Sequence, residues 1–251
     1  MREIQMSESG ENAKKIKKNR RALFELQGQV MVNKARAYAT RSNIEENRYL
    51  ILKNYVAAFV GNRQLANQNT DDIFENRIAI LENLDIETGN TEQENFIDSQ
   101  INKAKVDFLV HRASLNETVL KINEELVEVN QKLIEVNEKI LAANELIKNF
   151  NSKEIEENKK FLDGNLRPQD ATEEINTKTV ESNTAQVKML KDKTASNSET
   201  IMDLYDIVAI HRQHIAENSD EILSRREGIE ENHEKIGENK DAVAEMISPS
   251  E

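Results

Sequence analysis

Two of the chain's four histidines, His211 and His214, stand three residues apart, with Glu217 a further three residues on. On a helix that spacing puts the three side chains on one face, a weak candidate metal pair. The H-E-x-x-H pattern of a metal hydrolase is absent, and the remaining histidines, His111 and His233, are isolated. His211 also occupies a position that a repeat otherwise gives to Asn, so a seam histidine satisfied by hydrogen bonds is the stronger reading. The 251 residues include no cysteine, which removes disulfides, thiolate metal sites and nucleophilic thiols. Phosphate-cradling glycine loops and the G-x-S-x-G turn are missing, and no pair of Glu-x-x-His motifs faces across helices as a di-iron site requires. The expectation is a non-enzymatic chain with no cofactor.

The residue type that does recur by rule is asparagine, and its chemistry is hydrogen bonding by a neutral amide. Asn116, Asn123, Asn130, Asn137, Asn144, Asn151, Asn158 and Asn165 follow one another at intervals of seven. Three residues before them the chain is mostly apolar, as at Leu120, Val127, Ile134 and Leu141. The last third repeats the unit. Val180, Val187, Ile201, Val208, Ile215, Ile222, Ile229, Ile236 and Val243 share one heptad position, and Asn183, Asn197, Asn218, Asn232 and Asn239 follow at plus three. The first third carries Ile16, Leu23, Val30, Ala37, Ile44 and Ile51 with Asn19, Asn33, Asn47 and Asn54. There the phase slips by one residue near Gly61 and resumes at Asn62, Asn69, Asn76 and Asn83.

Only long helices can place such a series on one side of the chain. Aromatic residues at 4% and only 2 prolines agree with long helices carrying a thin apolar seam. Breaks fall at two places. Asp85 to Asn90 holds a glycine ahead of Thr91, an N-cap candidate with Glu94 completing a capping box. Asp163 to Asp170 holds Gly164, Asn165 and Pro168, a C-cap and a stop. The spacing predicts an all-α, single elongated domain over 1–251: an antiparallel three-helix bundle with helices at about 10–85, 92–163 and 170–246, turns near 86–91 and 163–170, and short disordered ends at 1–9 and 248–251. At about 1.5 Å of rise per residue each helix would reach on the order of 110 Å. The slip at Gly61 predicts a π-bulge or kink in the first helix.

Two positions are open to the asparagines. They can point inward as a register-fixing ladder, or lie half solvated at the seam boundary. The middle helix has the widest apolar face, since Leu126, Leu133, Ile140 and Ile147 run beside the repeat. It is therefore expected to lie centrally, with Asn123, Asn130, Asn137 and Asn144 in its seam and Asn183, Asn218 and Asn232 in that of the third helix.

The formal charge of −12 is unevenly distributed. Residues 1–50 carry 11 Lys and Arg against 6 Asp and Glu, with Lys14, Lys15, Lys17, Lys18, Arg20 and Arg21 clustered. Residues 201–251 carry 5 against 13. A basic end and an acidic end suit head-to-tail association of copies. The overall acidity, with no Trp and no recognition motif, argues against nucleic acid as a partner. The start, MREIQMSESGEN, lacks the apolar run of a secretory signal, and the most apolar window, Tyr49 to Val60, is too short to span a bilayer. Membrane contact is not expected, and a cytoplasmic location is favoured. The reading is a self-associating coiled-coil rod, the building block of a filament, lattice or fibre, whose partner is itself or another coiled-coil protein. Three long antiparallel helices in one chain are also similar to a BAR domain in size and architecture, with no sequence motif behind the likeness. The alternative is therefore a membrane-shaping or scaffold module.

Overall fold

The computed structural model describes the backbone of residues 2–84 and 91–247, and the side chains of 9–84 and 91–246. Among these residues there is no strand. Helix α1 (Arg2–Val56) runs into a π-helical turn (Ala57–Asn62) and on into α2 (Arg63–Glu82). Helix α3 (Thr91–Leu162) and α4 (Glu173–Ile247) follow, joined by a segment with a 3₁₀ turn at Pro168–Asp170. The chain is an all-α three-helix bundle in which α1, the π-turn and α2 act as one long helical arm. Helix α1 begins eight residues earlier than the heptads predict, because Arg2 to Ser9 contain neither Gly nor Pro to stop it. The turn expected at 86–91 falls largely on residues outside those described. Thr91, the expected N-cap, is itself the first helical residue.

The second turn is legible atom by atom. Asn165 N–H donates to Lys160 O at 3.0 Å and Gly164 N–H to Phe161 O at 3.1 Å, the paired bonds of a Schellman cap. Gly164 sits at φ +80°, a backbone region that this cap demands and that glycine enters without a Cβ clash. Pro168 then starts the 3₁₀ turn. Thr172 caps α4 by accepting the Ile175 N–H on Oγ1 at 3.2 Å.

The chain divides into two compact units. Unit one holds residues 1–51 and 147–216. Within it α1 and α4 run parallel: Asn12 bonds Thr177, Asn19 bonds Thr184, Asn33 bonds Thr194 and Asn47 bonds Val208, both numbers rising together. Unit two holds residues 52–146 and 217–251. Within it α2 and α4 are again parallel, through Asn62, Asn69 and Asn76 against Ile222, Ile229 and Ile236. Helix α3 packs on α2 in the opposite sense: Phe108 stacks on Phe74 with ring centroids 4.4 Å apart, while Arg112 reaches back to Asn67 and Asp71. Ala104 on this contact face is 3% exposed.

The phase slip appears as the π-turn, where the extra residue is absorbed without breaking the helix. Tyr55 stacks on Phe59 at 5.4 Å, and the Arg63 guanidinium lies 4.5 Å from the Phe59 centroid, so the turn is stapled from outside. Its consequence is numerical. Asparagines that reach the main chain use acceptors 161 residues on before the turn, and 160 from Asn62 onward. Deleting Val60 should therefore leave every rung in register, with an unchanged or higher melting temperature by circular dichroism. Deleting Ala39, inside continuous helix, should throw the rungs on one side of it out of step and cost about 3 kcal/mol or more at roughly 1 kcal/mol per bond.

Candidate functional site

Buried side chains are few, and among the described residues as many are polar as apolar. The apolar set is Leu26, Ala104, Val180, Val208, Ile215, Ile236 and Val243; the polar set is Asn12, Asn19, Thr40, Asn47, Asn62, Asn69 and Thr194. A buried amide is tolerated only when it is hydrogen-bonded, and these are. Asn33 Nδ2 donates to Thr194 O at 2.9 Å, Asn47 Nδ2 to Val208 O at 2.9 Å, Asn62 Nδ2 to Ile222 O at 2.8 Å, Asn69 Nδ2 to Ile229 O at 2.9 Å and Asn76 Nδ2 to Ile236 O at 3.3 Å. The acceptor each time is the main-chain carbonyl of the residue at the apolar heptad position of α4. That carbonyl already accepts the helix's own bond and has a second lone pair for the amide.

Earlier in α1 the same rung is relayed by a hydroxyl. Asn12 donates to Thr177 Oγ1 at 2.8 Å and Asn19 to Thr184 Oγ1 at 2.9 Å. Thr184 Oγ1 passes the bond to Val180 O at 2.7 Å, the carbonyl that Asn19 would otherwise reach. At the far end His233 Nδ1 lies 2.9 Å from Asn69 Oδ1. Since Asn69 Nδ2 must face the Ile229 carbonyl, its Oδ1 faces the ring, and His233 Nδ1 carries the proton.

Thr177, Thr184 and His233 share one heptad position of α4, four residues after the apolar one. From Thr177 to Lys240 the position reads Thr177, Thr184, Lys191, Ser198, Tyr205, Arg212, Ser219, Arg226, His233 and Lys240, every one a hydrogen-bond donor and none acidic. In a chain with 46 acidic residues that pattern is a selection, and it is the signal in the sequence that the heptad reading passed over. Arg212 uses its position differently, pairing with Glu46 across the helices at 2.5 Å. The Arg212 hydrogen bond and then its charge hold the Glu46 carboxyl below the usual carboxylate range. Any stability from this exposed pair is present above the ordinary carboxylate pKa and lost as pH falls through the lowered one. Asn47 Oδ1, beside it, is buried without a partner.

The sequence placed the ladder on the wrong strands of the repeat. Asn123, Asn130, Asn137 and Asn144 of α3 are exposed, as are Asn183, Asn218 and Asn232 of α4. Every residue from Asn123 to Glu156 is exposed, so the middle helix does not have the central, most covered role expected of it. The reason is geometric. A carboxamide that reaches a carbonyl must lie on the line between helix axes, and in each parallel pair only the α1–α2 arm supplies it. Beside the inward apolar position of α4, the flank turned to the arm is the position four residues on, which carries Thr177, Thr184 and His233, so the asparagines three residues on fall on the opposite flank. The apolar partners on α1 are displaced in turn: Ile16, Leu23, Val30, Ile44 and Ile51 are all exposed.

His211 and His214 are exposed too, and no group of three or more metal-ligating side chains occurs among the described residues. Of the basic cluster, Lys14, Lys17, Lys18, Arg20 and Arg21 are exposed and Lys15 is half-buried. Lys15 pairs with Glu11 at 3.4 Å and Arg21 with Glu25 at 3.1 Å, both within α1. No described helix is long and apolar enough to cross a membrane.

The fold and this site define a class: an all-α bundle whose parallel helices are aligned by a ladder of side-chain amides on main-chain carbonyls. Compared with protein-family models, curated proteins and solved structures, the chain matches none. Replacing Asn47 by Ala should lower unfolding free energy by about 1 kcal/mol, and Asn69→Ala, which loses two bonds, by about 2 kcal/mol. Asn130→Ala, at an exposed site, should stay within about 0.5 kcal/mol of the parent. Urea unfolding followed by circular dichroism distinguishes the three.

Proposed function

We propose that this chain is a structural protein, a self-associating coiled-coil building block of a filament, lattice or extruded fibre. One observation carries the reading: within unit two, the exposed stretch of α3 from Asn123 to Leu146 includes Leu126, Val127, Val129, Leu133, Ile134, Val136, Ile140 and Leu141. Isolated exposed apolar residues need no explanation, but a contiguous heptad face of this length marks a surface used for association. Its period of seven selects a helix as the complement, because only another helix presents knobs and holes at that spacing. The second support is the ladder itself. Neutral amides that align helices hold no substrate, and their use is to fix geometry.

The charge distribution adds a contact between ends. The exposed lysines and arginines between Lys14 and Arg21 and the 13 acidic residues of 201–251 favour joining one copy's start to another's finish, in a salt-sensitive way. Sedimentation velocity over a hundredfold range of protein concentration is the test. The sedimentation coefficient should rise with concentration and rise further at low salt, with elongated particles visible by electron microscopy. A species that stays at 28.8 kDa under every condition would overturn the reading.

A further inference from the structure

The exposed face of α3 resolves into a seam with a definite orientation. Within unit two, Leu126, Val129, Leu133, Val136, Ile140 and Ala143 alternate at three and four residues, an uninterrupted a/d pattern of three heptads. The stripe continues the face that α3 already uses within unit two, where Ala104, Phe108 and Arg112 meet α2. Beyond Ile122 the same face loses its cover: Leu126 is 38% exposed, Val129 51% and Val136 48%. An established packing surface therefore runs on without a partner.

We infer that this stripe pairs with the same stripe of a second copy, parallel and in register. The inference rests on the self-association proposed above and names its surface. What selects the second copy, and its direction, are the residues beside the seam. On one flank stand Glu125, Lys132 and Lys139, and on the other Asn130, Asn137 and Asn144. In a parallel pair each flank residue meets the residue five places on in the other copy. Glu125 then faces Asn130 of the second copy, Lys132 faces its Asn137 and Lys139 its Asn144. A carboxamide serves both kinds of ion, donating through Nδ2 to the carboxylate and accepting on Oδ1 from the ammonium. In an antiparallel pair the core layers set Leu126 against Ala143 and Leu133 against Val136. That arrangement brings Lys132 beside Lys139 twice, a like-charge contact with no acidic relief. The exposed asparagines of α3 thus become the neutral flank of a symmetric contact, which is why they need no partner inside the chain.

The absence of cysteine makes the test direct. Leu126→Cys and Ala143→Cys stand at opposite ends of the stripe, and Glu128→Cys on the far side of the helix is the control. Each full-length single variant is checked for unchanged helicity by circular dichroism, oxidised, and run on a non-reducing gel while light scattering reports the mass before oxidation. The expected result is a self-linked dimer from Leu126→Cys and from Ala143→Cys, with loss of linking in Glu128→Cys. An antiparallel contact leaves both silent alone and links a mixture of the two, which overturns the orientation. Mass above the monomer without linking, alone or in that mixture, overturns the surface and leaves the self-association standing. Monomer mass throughout overturns both.

Discussion

A primary amide buried between two helices has to find an acceptor within about 3 Å of its nitrogen, and everything else in this fold follows from where that acceptor is. Here it is the main chain of the facing helix. A carbonyl on the helix wall is reachable by a side chain as short as asparagine only if the two axes run close, side by side and in constant phase. The parallel direction of α1 with α4, and of α2 with α4, the single residue absorbed by the π-turn and the inward apolar position of α4 all satisfy that condition. Burial of apolar area does comparatively little alignment, because it is non-directional. The amides supply the direction.

That division of labour has a price in coverage. Placing asparagine on the line between the axes pushes Ile16, Leu23, Val30, Ile44 and Ile51 off it, so α1 presents half its apolar heptad outward. The same geometry turns the α4 asparagines to solvent. A two-helix contact satisfied by hydrogen bonds leaves hydrophobic surface over, and in α3 that surplus is concentrated into one continuous face. Directional polar contacts inside and unspent apolar surface outside are two results of one geometry.

The period of seven, the helix ends and the one-residue slip could be read from the residues, because each depends on local rules: apolar spacing, a Gly-Asn-Pro cluster, a shift of phase at Gly61. Which heptads face inward could not. The unit apolar-x-x-Asn reads the same in all three helices, yet Asn47 is 5% exposed and so buried, whereas Asn130 is exposed. Burial here is a property of pairs of helices, and a repeat seen one helix at a time carries no information about which neighbour it meets. The discriminating signal lay one step away, at the α4 position that runs from Thr177 to Lys240 without an acidic residue. A position that excludes Asp and Glu in so acidic a chain has oxygen acceptors opposite it, as His233 has in Asn69 Oδ1.

The ladder also does less than an asparagine series suggests at first sight. Main-chain carbonyls recur at every residue, so sliding one helix by a full heptad would return each amide to an equivalent acceptor. The rungs forbid slips of one to six residues and are indifferent to a slip of seven. The π-turn shares that indifference, since both arms would stay in phase with α4. What separates the true alignment from its heptad neighbours are the rungs that use side chains. Moved by seven, Asn12 loses the Thr177 hydroxyl or exchanges it, and Asn69 loses His233, whose ring has no counterpart seven residues away: Arg226 and Lys240 flank it. The repeated asparagines set the phase, and the few irregular positions, Thr177, Thr184 and His233, set the register. A strictly uniform version of this sequence would keep its helices parallel and let them slide.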